Sequence, residues 1–147
     1  MSGRLHLAKT DDFDRVASMV ERYHASQGIE SDDESRRGAI LPLLEGSPHG
    51  AIWLIGPRMS PVGYVAVSFG WSIEHGGIDG FIDEVWLREA VRGRGMGGEA
   101  LSELIKSLDA ADVKALHLEM AEGNAAERLY HRLGFRRRSY ALLTRLA

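Results

Sequence analysis

The chain has 147 residues, 44% of them hydrophobic and 27% charged, with a formal net charge of -3 and no cysteine. This composition suits one globular domain, residues 1–147, with length enough for a sizeable core. It excludes disulfides and thiolate chemistry, argues against a nucleic-acid binder held by a basic footprint, and contains no apolar run near the roughly 20 residues that cross a bilayer. The opening Met1-Ser2-Gly3-Arg4 leads into no signal-peptide core, so the expectation is a cytoplasmic protein with neither membrane nor nucleic-acid partner.

Arg4 to Leu7 alternates like a short first strand. Thr10-Asp11-Asp12 then offers N-cap chemistry to a helix whose Phe13, Val16, Ala17, Val20 and Tyr23 recur at helical spacing until Gln27-Gly28. Ser31-Asp32-Asp33-Glu34 has the form of a capping box, so a second helix is expected there, shortened or made irregular by Gly38 and Pro42. From Ala51 the period changes. Ala51–Ile55, Val62–Trp71 and Phe81–Leu87 read as three strands of an antiparallel meander, punctuated by Gly56-Pro57 and Gly76-Gly77. Glu99 to Leu108 is a core-packed helix, Ala115 to Met120 a strand, and Asn124-Ala125-Ala126-Glu127 opens a helix that stops at Gly134. A last strand is expected over Tyr140–Thr144. The order predicts a mixed α/β (α+β) domain with a central sheet of about six to seven strands, about four helices, and a parallel crossover over residues 81 to 120.

Between the third meander strand and the next helix lies V-W-L-R-E-A-V-R-G-R-G-M-G-G, Val85 to Gly98. Glycines let a backbone approach a phosphate closely, and the free amides and dipole of the following helix attract it. Gly93, Gly95 and Gly98 satisfy G-x-G-x-x-G, with Glu119 near the end of the next strand, where a dinucleotide fold places its ribose-binding acid. Two features oppose that reading: the charged stretch Arg88 to Arg92 separates strand from glycines, and only 28 residues follow Glu119. A Walker loop fails because no Gly-Lys-Ser/Thr follows.

From Arg92 the same stretch reads R-G-R-G-M-G, matching Arg/Gln-x-x-Gly-x-Gly/Ala, and residues 126–135, A-E-R-L-Y-H-R-L-G-F, supply an A-x-x-L-Y-x-x-x-G-F pattern. With these two motifs in this order, the chain resembles the GNAT superfamily of acetyl-CoA-dependent N-acetyltransferases over essentially its whole length. The resemblance implies that Arg92, Gly93, Arg94, Gly95, Met96, Gly97 and Gly98 hold the pyrophosphate of coenzyme A. It also implies that backbone groups of Val85 and Leu87 hold the pantetheine arm. The family often places an Asn seven residues before the Tyr; here that place is Gly123, and Asn124 stands six before. Asn124 is therefore a candidate cofactor contact that competes with a role as helix cap, with Glu127 completing the box.

Acyl transfer to an amine needs a neutral nucleophile, a stabilised oxyanion and a proton for the leaving thiolate. Tyr130 occupies the place of the family's general acid. Asp83 and Glu84 interrupt the apolar strand F-I-D-E-V-W-L, where carboxylates are costly to bury without a reason, and strand alternation sends them to opposite faces. Resemblance to polyamine and aminoglycoside acetyltransferases favours Asp83, with Glu84 close behind, as base or as attractor of a cationic amine. Glu74, His75 and Asp79 are candidates for the acceptor rim, Trp53, Trp71 and Trp86 are read as core or acceptor-pocket walls with core preferred, and the six histidines show no metal-ligand spacing. The implied reaction moves acetyl from acetyl-CoA directly to a primary amine of a small molecule or peptide, without a metal. The alternative is a non-catalytic acyl-CoA sensor. Members of the family commonly dimerise, so the resemblance admits a homodimer, with neither oligomeric state nor interface assigned by the sequence.

Overall fold

Strands that are apolar on both faces need helices on both sides, and the chain supplies two pairs. The computed structural model describes residues 3–147. Strands β1 (Leu5–Leu7), β2 (Gly50–Ile55), β3 (Gly63–Ser72), β4 (Gly77–Leu87) and β5 (Ala115–Leu118) form one sheet in the order β1-β2-β3-β4-β5. The first three junctions are antiparallel and β4–β5 is parallel, as its crossover helix requires. Helices α1 (Phe13–Ser26) and α2 (Asp33–Leu44) pack Val16, Val20, Ile40 and Leu44 against Ile52, Leu54, Tyr64 and Trp86 on one face. On the other, α3 (Met96–Ala110) and α4 (Glu127–Arg132) bring Leu101, Leu104, Leu108 and Leu129 onto Val65, Val67 and Ile82.

Four expectations are corrected. The sheet has five strands rather than six to seven, because Tyr140–Thr144 forms no ladder among the described residues. Arg138 pairs instead with Glu74 at the β3–β4 turn and leads the following residues past the edge of β5, where Tyr140 is 78% exposed. α2 runs unbroken through Gly38 and Pro42, since burial of Ile40 and Leu44 outweighs weak local propensity. Its cap is Asp32, whose carboxylate accepts from the Ser35 N–H at 2.7 Å, one residue after the expected start. Trp71 is not core: it stands 74% exposed on β3, while Trp86 is buried.

The loops are tied to the helices by one buried acid. Asp12 is fully buried at the start of α1 and accepts from the Lys9 N–H at 2.9 Å, Arg15 at 2.5 Å and Arg58 at 2.7 Å. Burial alone would push its carboxyl up, but the Lys9 amide and the two guanidiniums outweigh that and hold it below the usual range. Asp12→Ala is therefore expected to cost about 3 kcal/mol, the lower end for breaking a buried ion pair, since both arginines reach solvent. Denaturant midpoints measure it. Because the folded value is depressed, the advantage of Asp12 is complete above the unfolded carboxyl's ~3.9 and fades as pH falls through the folded value.

Candidate active site

The ladder between β3 and β4 changes register at one place: Ala66 pairs with Glu84, but Val67 pairs with Ile82. Asp83 is the extra residue of a β-bulge. On the other side of β4, pairing to β5 ends at Ile82 with Leu118. From Asp83 onward the two parallel strands part, opening a cleft of about 220 Å³ lined by Tyr23, Asp83, Val85, Glu119, Asn124 and Tyr130 among others.

The bulge settles how the two acids divide. Glu84 faces α1, where its carboxylate receives the Tyr64 hydroxyl at 2.9 Å and lies 2.6 Å from His24 Nε2. It has no place in the cleft lining. Asp83 does, and its carboxyl is raised above the ordinary range by desolvation between the cleft walls, then by the charges of Glu84 and Glu119, with His24 opposing. Of the two sequence candidates, the structure thus sets Asp83 at the cleft and Glu84 in an internal network behind it.

Tyr130 comes to the same cleft from α4. Leu129 of the same helix packs so close to the α3 start that a Cβ on Gly98 would lie 3.0 Å from Leu129 Cδ1. Gly134, at φ +100, turns the chain so that the Phe135 N–H donates to Tyr130 O at 3.0 Å and its ring meets Tyr130 edge-on. These contacts explain the L-Y-x-x-x-G-F pattern: each fixed residue orients the phenol. Burial pushes the Tyr130 phenol up, so it stays protonated at neutral pH.

The glycine stretch divides in two. Gly93 and Gly95 adopt φ +77 and +78, which L side chains rarely accept, with open space around each Cβ position. Gly97 and Gly98 are not loop but the first turn of α3, which begins at Met96 rather than Glu99. The first helical bond runs from the Glu99 N–H to Gly95 O, so the amides of Met96, Gly97 and Gly98 have no acceptor within the helix. Arg94 is exposed beside them. Arg92 folds back instead, its Nε donating to Leu87 O at 2.9 Å.

The open flank of β4 can be read from its ladder. Arg88 N–H donates to Val62 O at 2.7 Å. Antiparallel pairs bond at alternate residues, so Trp86 and Glu84 also bond to β3, while the backbone groups of Val85 and Leu87 turn towards the gap. Val85 is free to pair with an amide-bearing ligand; at Leu87 the carbonyl is already engaged by Arg92. Asn124 lines the cleft, but its Oδ1 accepts the Ala126 N–H at 2.8 Å, two residues on rather than three. Glu127 completes no capping box, since its carboxylate pairs with Arg137 at 2.8 Å.

Sequence reasoning missed Tyr23, Gln27 and Glu119 as residues of this cleft. Tyr23 carried a signal, since it ends the apolar stripe of α1. Glu74, His75 and Asp79 lie outside this cleft: Glu74 pairs with Arg138 and Asp79 with His117 at 3.3 Å. Among the described residues no cluster of three metal-ligating side chains exists. Among the described residues no helix is long and apolar enough to cross a membrane.

Residues 14–135 match the profile of the acetyltransferase (GNAT) family. Among solved structures, an integron cassette protein from the mobile metagenome of Cole Harbour salt marsh superposes with a TM-score of 0.85 at 27% identity, over 97% of this chain and 89% of that one. A possible acetyltransferase from Clostridium difficile 630 gives 0.84 at 17% identity, over 100% and 99%. A predicted acetyltransferase with acetyl-CoA from Clostridium acetobutylicum gives 0.76 at 17% identity, over 97% and 95%. Comparison with curated proteins finds no match.

The Glu84 network makes a checkable prediction. Tyr64→Phe removes a hydroxyl donor from a carboxylate inside the fold, which is expected to cost about 2 kcal/mol in thermal or denaturant unfolding.

Proposed function

Because the chain belongs to the acetyltransferase (GNAT) family, we propose that it transfers acetyl from acetyl-CoA directly to a primary amine of a small molecule or peptide, with Asp83 as base and Tyr130 as acid. The observation that carries this reading is the parting of β4 and β5 at the Asp83 bulge, with Asp83 and Tyr130 both lining the opening. A cytoplasmic setting fits a chain without cysteine.

The residues present fit coenzyme A. The unsatisfied amides of Met96, Gly97 and Gly98 and the positive end of α3 suit a pyrophosphate, and Arg94 adds a charge beside them. The freed edge of β4 at Val85 suits the amides of a pantetheine arm, in the manner of strand addition. When bound, acetyl-CoA supplies a thioester whose carbonyl carbon accepts the amine.

The chain's own groups do the rest. At neutral pH most primary amines are protonated, and the carboxylates of Asp83 and Glu119 attract such a cation into the cleft. Asp83, whose carboxyl burial raises above its ordinary value, then takes the ammonium's proton, directly or through a water, leaving a neutral amine. Tyr130, held neutral, donates its phenolic proton to the leaving sulfur, and the second proton that the nitrogen sheds on becoming an amide restores the phenol. Tyr23 and Gln27 of α1 wall the acceptor side.

Acetyl-CoA-dependent thiol release across a panel of polyamines, aminoglycosides, amino acids and peptides tests the proposal; coenzyme A binding with no turnover on any of them would leave a sensor rather than an enzyme. Tyr130→Phe is expected to lower kcat about 100-fold or more while the calorimetric Kd for acetyl-CoA stays unchanged. Asp83→Asn is expected to lower kcat/KM and to abolish the acid limb of its pH profile. In the wild type that limb falls as pH drops through a value above the ordinary carboxylate range, because the base must be ionised.

A further inference from the structure

Behind β4 lies a carboxylate that has no place in the cleft. Glu84 receives the Tyr64 hydroxyl on one oxygen at 2.9 Å, and its other oxygen stands 2.6 Å from His24 Nε2. The imidazole is itself aimed. Its Nδ1 lies 3.4 Å from Ser31 Oγ, and the Arg36 guanidinium donates to the Ser31 hydroxyl at 3.0 Å and to its carbonyl at 2.6 Å. Four elements thus meet around one ionisable pair: β3 through Tyr64, β4 through Glu84, α1 through His24 and α2 through Arg36.

A structural task alone does not require a charge here. Tyr64 is fully buried and the Glu84 side chain is only 20% exposed. A glutamine could accept from the same hydroxyl, and a well-packed apolar pair often serves a fold equally well. What neither could supply is a negative charge next along the chain from Asp83. The bulge makes that closeness possible: it sends Asp83 to the cleft while Glu84 stays on the α1 face, so consecutive carboxyls occupy different surroundings.

The titratable and charged groups around Asp83 come from every layer. α1 brings Tyr23 and His24, and its Arg22 lies over the Trp86 ring at 5.0 Å on the Glu84 face. Glu84 comes from the same strand with Tyr64 of β3 behind it, Glu119 from just past β5, and Tyr130 from α4, while α3 lends the lining only the apolar Leu101. After desolvation, the charges of Glu84 and Glu119 raise the Asp83 carboxyl, and His24 opposes them. His24 therefore does two things at once: it holds Glu84 in place and offsets part of its field.

We infer that Glu84 and His24 are positioning residues for the transfer and act through Asp83: the pair sets the pH at which the base gives up its proton and holds the α1 wall, with Tyr23, beside it. This rests on the reading of Asp83 as the base. Because Glu84 and His24 act with opposite sign on one carboxyl, their neutral replacements move it in opposite directions. Loss of a structural contact alone carries no such pair of signs.

Two measurements report on the same group by independent means: the acid limb of kcat/KM against pH, and the carboxyl-carbon NMR titration of Asp83 in the ligand-free protein. Glu84→Gln is expected to move both to lower pH by about half a unit or more, and His24→Gln to move both to higher pH. Tyr64→Phe loosens the same carboxylate without changing a charge, and it is expected to leave both where they are. Should Glu84→Gln not fold, the upward shift in His24→Gln decides alone. No shift, or shifts of one sign in all three variants, would overturn the inference. An acid limb that survives Asp83→Asn, with the carbon titration shifting as stated, would instead remove Asp83 as the base and take the inference down with it.

Discussion

The parting of β4 from β5 is the constraint on which the rest of the molecule depends. Parallel strands joined by a helix normally keep company along their length, since every backbone group left unpaired in a dry place carries a desolvation cost. Here the ladder stops at Ile82 and Leu118, and one inserted residue, Asp83, bends β4 away. The consequence is a row of free backbone groups beside Val85, aligned with the free amides at the start of α3 some ten residues later.

The two neighbouring acids show how one bulge separates two environments. Glu84 lies behind the sheet with a phenol and an imidazole as partners, and there it couples α1 to β4. Asp83 faces a cleft with other acids nearby and no cation bound to it, which raises its carboxyl. A base needs that unsatisfied position, while a structural carboxylate needs the satisfied one. The pairing of Glu84 with His24 also ties β4 to the helix that delivers Tyr23 to the cleft, so Asp83 and Tyr23 share one support.

Much of this was legible in the sequence, and the reasons are local. The glycine run and the L-Y-x-x-x-G-F pattern spell out backbone conformations that few other residues allow: positive φ at Gly93, Gly95 and Gly134, and close approach at Gly98. Helix periodicity located α1 and α3 because each buries one stripe. What could not be read depends on non-local contacts. No alternation rule reveals that Asp83 is an extra residue, because a bulge is defined only against the opposing strand. Tyr140–Thr144 has local marks of a strand, yet a ladder requires a paired edge, and the segment runs beside the groove along β5 without pairing to it. Glu119, Tyr23 and Gln27 come together from three elements and share no motif.

A single supernumerary residue in β4 has a consequence for how such a chain can change over generations. Exchanging the side chain at position 83 alters the chemistry while the opening stays, because the opening comes from residue count and not from residue type. Losing that one codon would do the reverse. The strand would fall back into phase with β3, Ile82 and Glu84 would become neighbours on the opposite faces they already occupy, and the bend at the bulge would be lost. Substitution and deletion at this position are therefore different kinds of change, the first to the lining of the cleft and the second to the course of the strand.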